Sequence, residues 1–412
     1  MMLQCGLLGE KLMHSYSPLI HKELGNYYYD LFEVEQDQLA HFMRTTPFHG
    51  LNVTIPYKQL LFDYCDQLSP AAQAIGSVNT VVRKGDGRLY GENTDAAGFL
   101  QLLKIGNIEV KNKKVLVLGS GGSSLTVCYV LKEQGALETV VVSRSGEHNY
   151  NNLDKHHDSQ VIVNTTPVGM YPNNGSSPVC LQKFKNLEGV VDLIYNPDKT
   201  ALLLEAEKLA ISNIGGLPML VAQAAAASEI FIGRSVSPKK IDDITAKIRK
   251  ETQNIILIGM PGSGKTTVGL ALAEITGRKL IDTDQEIVSQ VGKSIPAIFE
   301  RDGEAEFRKY ETDIIKKVGA QSGVIITTGG GCVTVPENYA ALRQNGIILF
   351  LDRHLALLDR TGRPLSVGDL KQMYEQRRPL YEKFADLDIT NDQAVEKVAK
   401  KVLEAFYEAI NY

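Results

Sequence analysis

Apolar residues follow two rhythms along this chain, short continuous runs and stripes spaced by three or four, and each switch from the first to the second predicts a strand followed by a helix. The run KKVLVLG over Lys113–Gly119 predicts a buried strand; Gly121 and Gly122 then open a helical segment reaching Gln134, and the apolar run Thr139–Ser143 completes a βαβ unit. The same switch returns at NIILIG, Asn254–Gly259, before PGSGKTTVGLALAEITG, where Val268, Leu272 and Ile275 recur at helical spacing. Between the two units, Ser237 and Pro238 supply start signals for a helix that places Ile241, Ile244 and Ile248 on one face and ends near Lys250. That leaves about three residues before the next strand. Upstream of residue 100, short apolar runs alternate with helical segments, which predicts a separate α/β domain. No period of 20 to 50 residues and no low-complexity stretch interrupts this organisation.

Composition narrows the class. A chain of 412 residues exceeds what one core usually serves, and 43% hydrophobic with 22% charged residues describes a chain that folds throughout. The 44 basic against 48 acidic residues give a net charge of −4, spread along the sequence, so neither bulk nucleic acid nor an anionic membrane surface is an expected partner. Cys5, Cys65, Cys128, Cys180 and Cys332 are far apart, odd in number and without a C-x-x-C pair, which argues against a disulfide framework or a zinc site and for a reducing compartment. The first residues lack a basic region leading into a long apolar run, and the longest apolar stretch, Leu217–Ile232, is broken by Gln223 and Glu229. The expectation is a cytoplasmic protein.

Chemistry enters at Gly259–Thr266, GMPGSGKT, which fits G-x-x-x-x-G-K-[ST] between a predicted strand and a predicted helix. Glycines at Gly259, Gly262 and Gly264, with Ser263 between the last two, let backbone N–H groups converge on phosphate oxygens; Lys265 neutralises phosphate charge, and the hydroxyl of Thr266, next to Thr267, can ligate Mg²⁺. Downstream, LIDTDQEIV, SIPAIFERDGEAEFRKYE, TTGGGCV, RTGRPL and QRRPLY follow in order, and together they resemble shikimate kinase over residues 254–412. The resemblance implies that Asp282 helps Thr266 hold Mg²⁺, that Asp284 hydrogen-bonds the reacting hydroxyl, and that Arg308 and Arg377 bind the substrate carboxylate. It further implies that Gly330 and Gly331 contact the hydroxyl face, and that Arg360 and Arg363 meet ATP, Arg363 from a lid shorter than in many members. Standing two apart at the end of an apolar run, Asp282 and Asp284 are expected to share one face of a strand.

The first half carries GLLGEKLMHSYSPLIH, LNVTIPYK, AIGSVNTVV, GENTDAAGF, VLGSGGSS, NTTPVGM and GLPMLVAQAA, which together resemble shikimate dehydrogenase from near residue 5 to about 230. The resemblance implies that Lys58 acts as general acid beside Asp95, that Ser15 and Ser17 bind the substrate carboxylate, that Thr54, Asn79 and Gln223 position ring hydroxyls, and that Tyr195 closes the pocket. Gly119, Gly121 and Gly122 stand where a dinucleotide pyrophosphate meets a helix N-terminus, with Thr126 where the family often has Ala, and Gly216 and Met219 complete the cofactor set. The second strand ends at Ser143, Arg144 and Ser145 rather than at an acid, which favours the 2′-phosphate of NADP over a free ribose hydroxyl. His14 and His21 flank the serines, but without acids to complete a ligand set they point to hydrogen bonding rather than to a metal.

The fold expected is α/β throughout: a substrate-binding domain over residues 1–100 with a returning segment at 216–251, a Rossmann-type NADP-binding domain at 101–215, and a P-loop NTPase-type kinase domain at 252–412. The function expected is NADPH-dependent reduction of 3-dehydroshikimate followed by MgATP-dependent phosphorylation of shikimate. Two alternatives stay open: a ligand-sensing regulator without catalysis, and a quinate/shikimate dehydrogenase able to use NAD.

Overall fold

The computed structural model describes residues 2–12, 15–358 and 370–410. Contacts divide the chain into two compact units, one of Met1–Met170, Ser176–Tyr195 and Leu202–Thr245, the other of Tyr171–Gly175, Asn196–Ala201 and Ala246–Tyr412.

The first unit holds two sheets. In the first sheet, strands Gln4–Gly9, Tyr28–Glu33 and Gly50–Val53 pair in parallel, and Thr80–Arg83 and Leu89–Glu92 continue antiparallel. The second sheet is parallel throughout, in the order Ser212–Ile214, Gly189–Asp192, Val161–Asn164, Lys114–Leu118, Glu138–Val142. Its strands read as continuous apolar runs because both faces are covered: Val115, Leu116, Val117 and Leu118 are all buried. The βαβ unit expected from the glycine turn is present, with helix Gly122–Glu133 between parallel neighbours. Helix Leu217–Ile232, the long apolar stretch, packs along Thr94–Ile105. Gly98 permits the approach, since a Cβ there would stand 2.9 Å from the Met219 carbonyl oxygen.

The second unit is built on a five-stranded parallel sheet in the order Leu280–Asp282, Ile325–Thr327, Asn254–Ile258, Gly346–Asp352, Leu387–Thr390, again with apolar clusters on both faces. Its first strand gives way at Gly259 to helix Lys265–Thr276, as the periodicity predicts.

Two expectations need correction. The helix starting at Pro238 ends near Lys250 as expected, but runs two residues further, to Thr252, whose hydroxyl donates to the Ile248 carbonyl, so Gln253 alone, rather than about three residues, separates it from the strand at Asn254. Asp282 and Asp284 do not share a strand face. Asp282 ends its strand and caps helix Thr283–Val291, its Oδ1 accepting from the Asp284 N–H at 3.0 Å and the Gln285 N–H at 3.3 Å, which places Asp284 in the first helical turn.

No helix among the described residues is long and apolar enough to cross a membrane. All five cysteines are free, and burial pushes the Cys5, Cys65 and Cys332 thiols up to about 12.

Candidate active sites

A cleft of about 210 Å³ opens between the two sheets of the first unit. It gathers Ser15, Ser17, Thr54, Lys58, Asn79, Asp95, Tyr195, Gly216, Met219 and Gln223 from segments far apart in the chain. Lys58 Nζ lies 2.5 Å from Asp95 Oδ2, both side chains largely buried. Asp95 stands in the first turn of helix Thr94–Ile105, while Lys58 follows the strand Gly50–Val53, so the pair joins two elements. Asn79 Oδ1 accepts from the Thr94 N–H at 2.7 Å, which fixes the amide plane. Gln223 is seated by its Nε2 donating to the Leu220 carbonyl at 2.9 Å. Gly216 marks a close backbone approach: a Cβ there would fall 2.1 Å from the Leu193 carbonyl oxygen.

Of the proposed cofactor residues, Gly216 and Met219 line the cleft, while the glycine turn and Ser143–Ser145 stand at the carboxyl ends of the neighbouring strands Lys114–Leu118 and Glu138–Val142, outside the cleft lining. Gly119 has φ 105° and its Cβ would meet Thr165 Oγ1, so the fold itself requires glycine there. Gly121 and Gly122 face open space at the start of helix Gly122–Glu133, where a ligand can approach the backbone. Ser143 is bridged to Asn149, and Arg144 and Ser145 follow directly after that bridge. Ser123, in the first turn of that helix, also lines the cleft and links the two subsites; it and Asn52 escaped the sequence reading. Asn52 lies within the quoted LNVTIPYK run, two residues before Thr54, which was the available signal. His21 belongs to neither subsite: it is buried, stacked on Tyr29 at 3.9 Å and bonded through Nδ1 to Tyr27, while His14 lies outside the described residues.

In the second unit a cavity of about 300 Å³ gathers Gly262, Gly264, Lys265, Thr266, Thr267, Asp282, Asp284, Arg308, Gly330, Gly331 and Arg377. Gly259, Gly262 and Gly264 all have positive φ, which bends the loop around Lys265, whose Nζ donates to the Gly259 and Met260 carbonyls at 2.9 and 3.0 Å. Gly259 and the buried Ser263 shape the loop from behind and do not line the cavity. Thr266 Oγ1 and Thr327 Oγ1 both donate to Asp282 Oδ2, at 2.8 and 3.0 Å. A hydroxyl and a carboxylate side by side against a phosphate-type loop form an all-oxygen donor pair, which fits Mg²⁺ completed by phosphate and water.

Arg308 Nη1 donates to Glu311 Oε2 at 2.7 Å and Nη2 to Glu304 Oε1 at 2.9 Å. Burial pushes the Glu311 carboxyl up against the opposing pull of Arg308; burial also works against the Arg308 charge, yet Glu311 and Glu304 hold its pKa above the ordinary arginine value. Arg377 Nη1 donates to the Gly330 carbonyl at 3.2 Å. Sequence reading missed Glu311 and the apolar wall of Ile295, Pro296, Phe299 and Phe307. Arg360 and Arg363 lie outside the described residues.

These two sites define a chain that joins a dinucleotide-dependent oxidoreductase fold to a P-loop small-molecule kinase fold. The family model described as "Shikimate dehydrogenase substrate binding domain" matches residues 7–81, and the model described as "Shikimate kinase" matches residues 261–407. A shikimate dehydrogenase (NADP(+)) of Clostridium perfringens strain SM101 is 34% identical over 265 residues, covering 59% of this chain and 97% of that protein. One from Clostridium beijerinckii is 37% identical over 245 residues, covering 55% and 90%. Among solved structures, a chorismate mutase/shikimate 5-dehydrogenase fusion protein of Clostridium acetobutylicum superposes with TM-score 0.58 at 37% identity over 61% of this chain and 98% of that one. The Thermus thermophilus shikimate 5-dehydrogenase in complex with NADP(H) and shikimate gives 0.54 at 33%, over 60% and 99%. The chain belongs to the shikimate dehydrogenase family and continues into a shikimate kinase domain.

Proposed function

We propose that the chain is a bifunctional enzyme of the shikimate pathway that reduces 3-dehydroshikimate with NADPH in the first unit and phosphorylates the resulting shikimate with MgATP in the second. The observation that supports this reading is that the groups proposed for the chemistry converge: the Lys58–Asp95 pair lies among neutral hydrogen-bonding side chains in one cavity, and Lys265, Asp282, Asp284, Arg308 and Arg377 line the other.

In the first cleft NADPH, when bound, supplies the hydride. Lys58 donates a proton from Nζ to the carbonyl oxygen as that oxygen gains charge, and Asp95 orients the ammonium and stabilises it before transfer. Ser15 and Ser17 hold the carboxylate, while Thr54, Asn79 and Gln223 orient the ring through neutral donors and acceptors. Arg144 with Ser143 and Ser145 meets the 2′-phosphate of NADP, a pairing for which a guanidinium fork is suited.

In the second cavity Mg²⁺, held by Thr266 and Asp282 when bound with ATP, offsets charge on the transferring phosphate. Asp284 accepts the proton of the attacking hydroxyl, Lys265 draws charge onto the leaving phosphate, and Arg308 and Arg377 fix the substrate carboxylate. Free cysteines support a reducing cytoplasmic setting.

Purified protein given 3-dehydroshikimate, NADPH and MgATP together should consume NADPH and accumulate shikimate 3-phosphate. Omitting ATP should stop the product at shikimate. NADPH left unconsumed refutes the first half of the proposal, and NADPH consumption that stops at shikimate despite MgATP refutes the second.

A further inference from the structure

Between the two serines that line the dehydrogenase cleft sits Tyr16, the residue that starts helix Ser17–Leu24. Its ring centroid lies 5.7 Å from that of Tyr195, with the planes tilted by 53°. The two tyrosines come from opposite sides of the cleft. Tyr16 caps the helix between strands Gln4–Gly9 and Tyr28–Glu33 of the first sheet, whereas Tyr195 follows strand Gly189–Asp192 of the parallel sheet that carries the glycine turn. Tyr195 lines the cleft beside Gly216 and Met219, and burial pushes its phenol above the ordinary tyrosine pKa, so its hydroxyl stays protonated in this setting.

The backbone just before Tyr195 is held by its neighbours. Gly216 donates its N–H to the Ile194 carbonyl at 2.9 Å, and the approach of Gly216 to Leu193 leaves no room for even one added carbon. With that segment pinned, the direction of the Tyr195 ring is set by what it leans on, and Tyr16 is the ring it meets.

We propose that Tyr16 is a positioning residue for the dehydrogenase reaction: its ring holds Tyr195 over the cleft and ties the serine-bearing segment to the cofactor-side wall. The inference rests on the dehydrogenase reading above. Ser15 and Ser17, on either side of Tyr16, then meet the substrate carboxylate in the same closed arrangement in which Tyr195 covers the ring. An aromatic pair of this kind is worth about 2- to 12-fold in an equilibrium constant. Because the contact bridges the walls around the substrate without touching the reacting atoms, its loss raises KM for 3-dehydroshikimate and leaves kcat nearly unchanged.

The test uses the full chain with Tyr16→Phe, Tyr16→Leu and Tyr16→Ala, each also combined with Tyr195→Ala, with circular dichroism of the same preparations as the measure of folded protein and kinase turnover as the measure of intact chain. Tyr16→Phe, which keeps the ring, should raise KM less than the two substitutions that remove it. Tyr16→Leu and Tyr16→Ala should raise it by about 2- to 12-fold with kcat and the KM for NADPH within about twofold. In the Tyr195→Ala background the same substitutions should add almost nothing, because the partner is already gone. A partly unfolded variant would lose Vmax and keep its KM, so a structural role gives a different pattern. An unchanged KM in both Tyr16→Leu and Tyr16→Ala, or full additivity with Tyr195→Ala, overturns the proposal. A wild-type chain that does not reduce 3-dehydroshikimate overturns the functional reading itself, and the proposal with it.

Discussion

Replacing Gly331 with alanine probes how the kinase site holds a charged side chain in place. A Cβ built on Gly331 would lie 2.1 Å from Arg308 Nη2 and 2.3 Å from both its Cζ and Nη1, so the guanidinium rests directly on the glycine backbone. As it moves aside, its bond to the fully buried Glu311 carboxylate is the contact put at risk. A hydrogen bond between charged partners contributes about 1.5–3 kcal/mol. If the displacement is transmitted to the substrate carboxylate, KM for shikimate should rise by about 10- to 150-fold. The phosphate loop at Gly259–Thr267 is not part of this contact, so KM for ATP should change by less than about threefold, and dehydrogenase turnover should be untouched. Steady-state kinetics with each substrate varied in turn provide the assay. A Gly331→Ala enzyme with wild-type KM for shikimate would show that Arg308 yields without losing its grip, and would remove the claim that Gly331 is glycine because of Arg308.

The parts of these sites legible in the sequence are those where local chemistry leaves one option. At Gly259, Gly262 and Gly264 a left-handed backbone has to precede a helix, and only glycine adopts it without strain, so the loop was readable from spacing alone. The parallel strands were readable because burial on both faces forces uninterrupted apolar runs. Asp284 was misplaced on a strand because period-two reasoning was carried past the strand's end. The correcting signal was present, since an aspartate followed three residues later by Gln285 is a helix start. Glu311 was invisible for another reason. A glutamate three residues after an arginine in a helical segment usually marks a solvated surface pair, and here the carboxylate is buried, lying against Gly329 from a separate segment. Tyr16 shares that limitation, since nothing in S-Y-S tells which ring across the cleft it will meet.

Three further outcomes are expected. Lys58→Ala should lower reduction by about 10²- to 10⁴-fold while sparing phosphorylation, and Lys265→Ala should do the reverse; both activities measured in each preparation check it, and joint loss would contradict two separate sites. Wild-type protein should prefer NADPH to NADH in kcat/KM, with Arg144→Ala narrowing the ratio, and equal use of the two cofactors by the wild type would refute the 2′-phosphate assignment. The last concerns acid. His21 is buried between Tyr27, Tyr29 and Phe231, and burial depresses its pKa from 6.5 to about 3. Between those values the unfolded chain binds a proton that the folded chain refuses, so stability falls as pH drops through this window. At pH 5 the gap of about 1.5 pH units from the unfolded value amounts to roughly 2 kcal/mol. The ring is held in the cluster by its Nδ1, 2.6 Å from the Tyr27 hydroxyl, which in turn donates to Ser228 at 3.0 Å. Tyr27, Tyr29 and Cys5, the titratable neighbours in this cluster, all have raised pKa values and stay neutral across the window, which leaves His21 as the group that responds. Urea melts of the wild type and of His21→Gln, followed by loss of dehydrogenase activity between pH 7 and pH 5, would measure it. His21→Gln lacks the titrating ring, so although less stable at pH 7 it should lose about 2 kcal/mol less than the wild type on acidification. Parallel losses in the two proteins would place the acid sensitivity elsewhere in the fold.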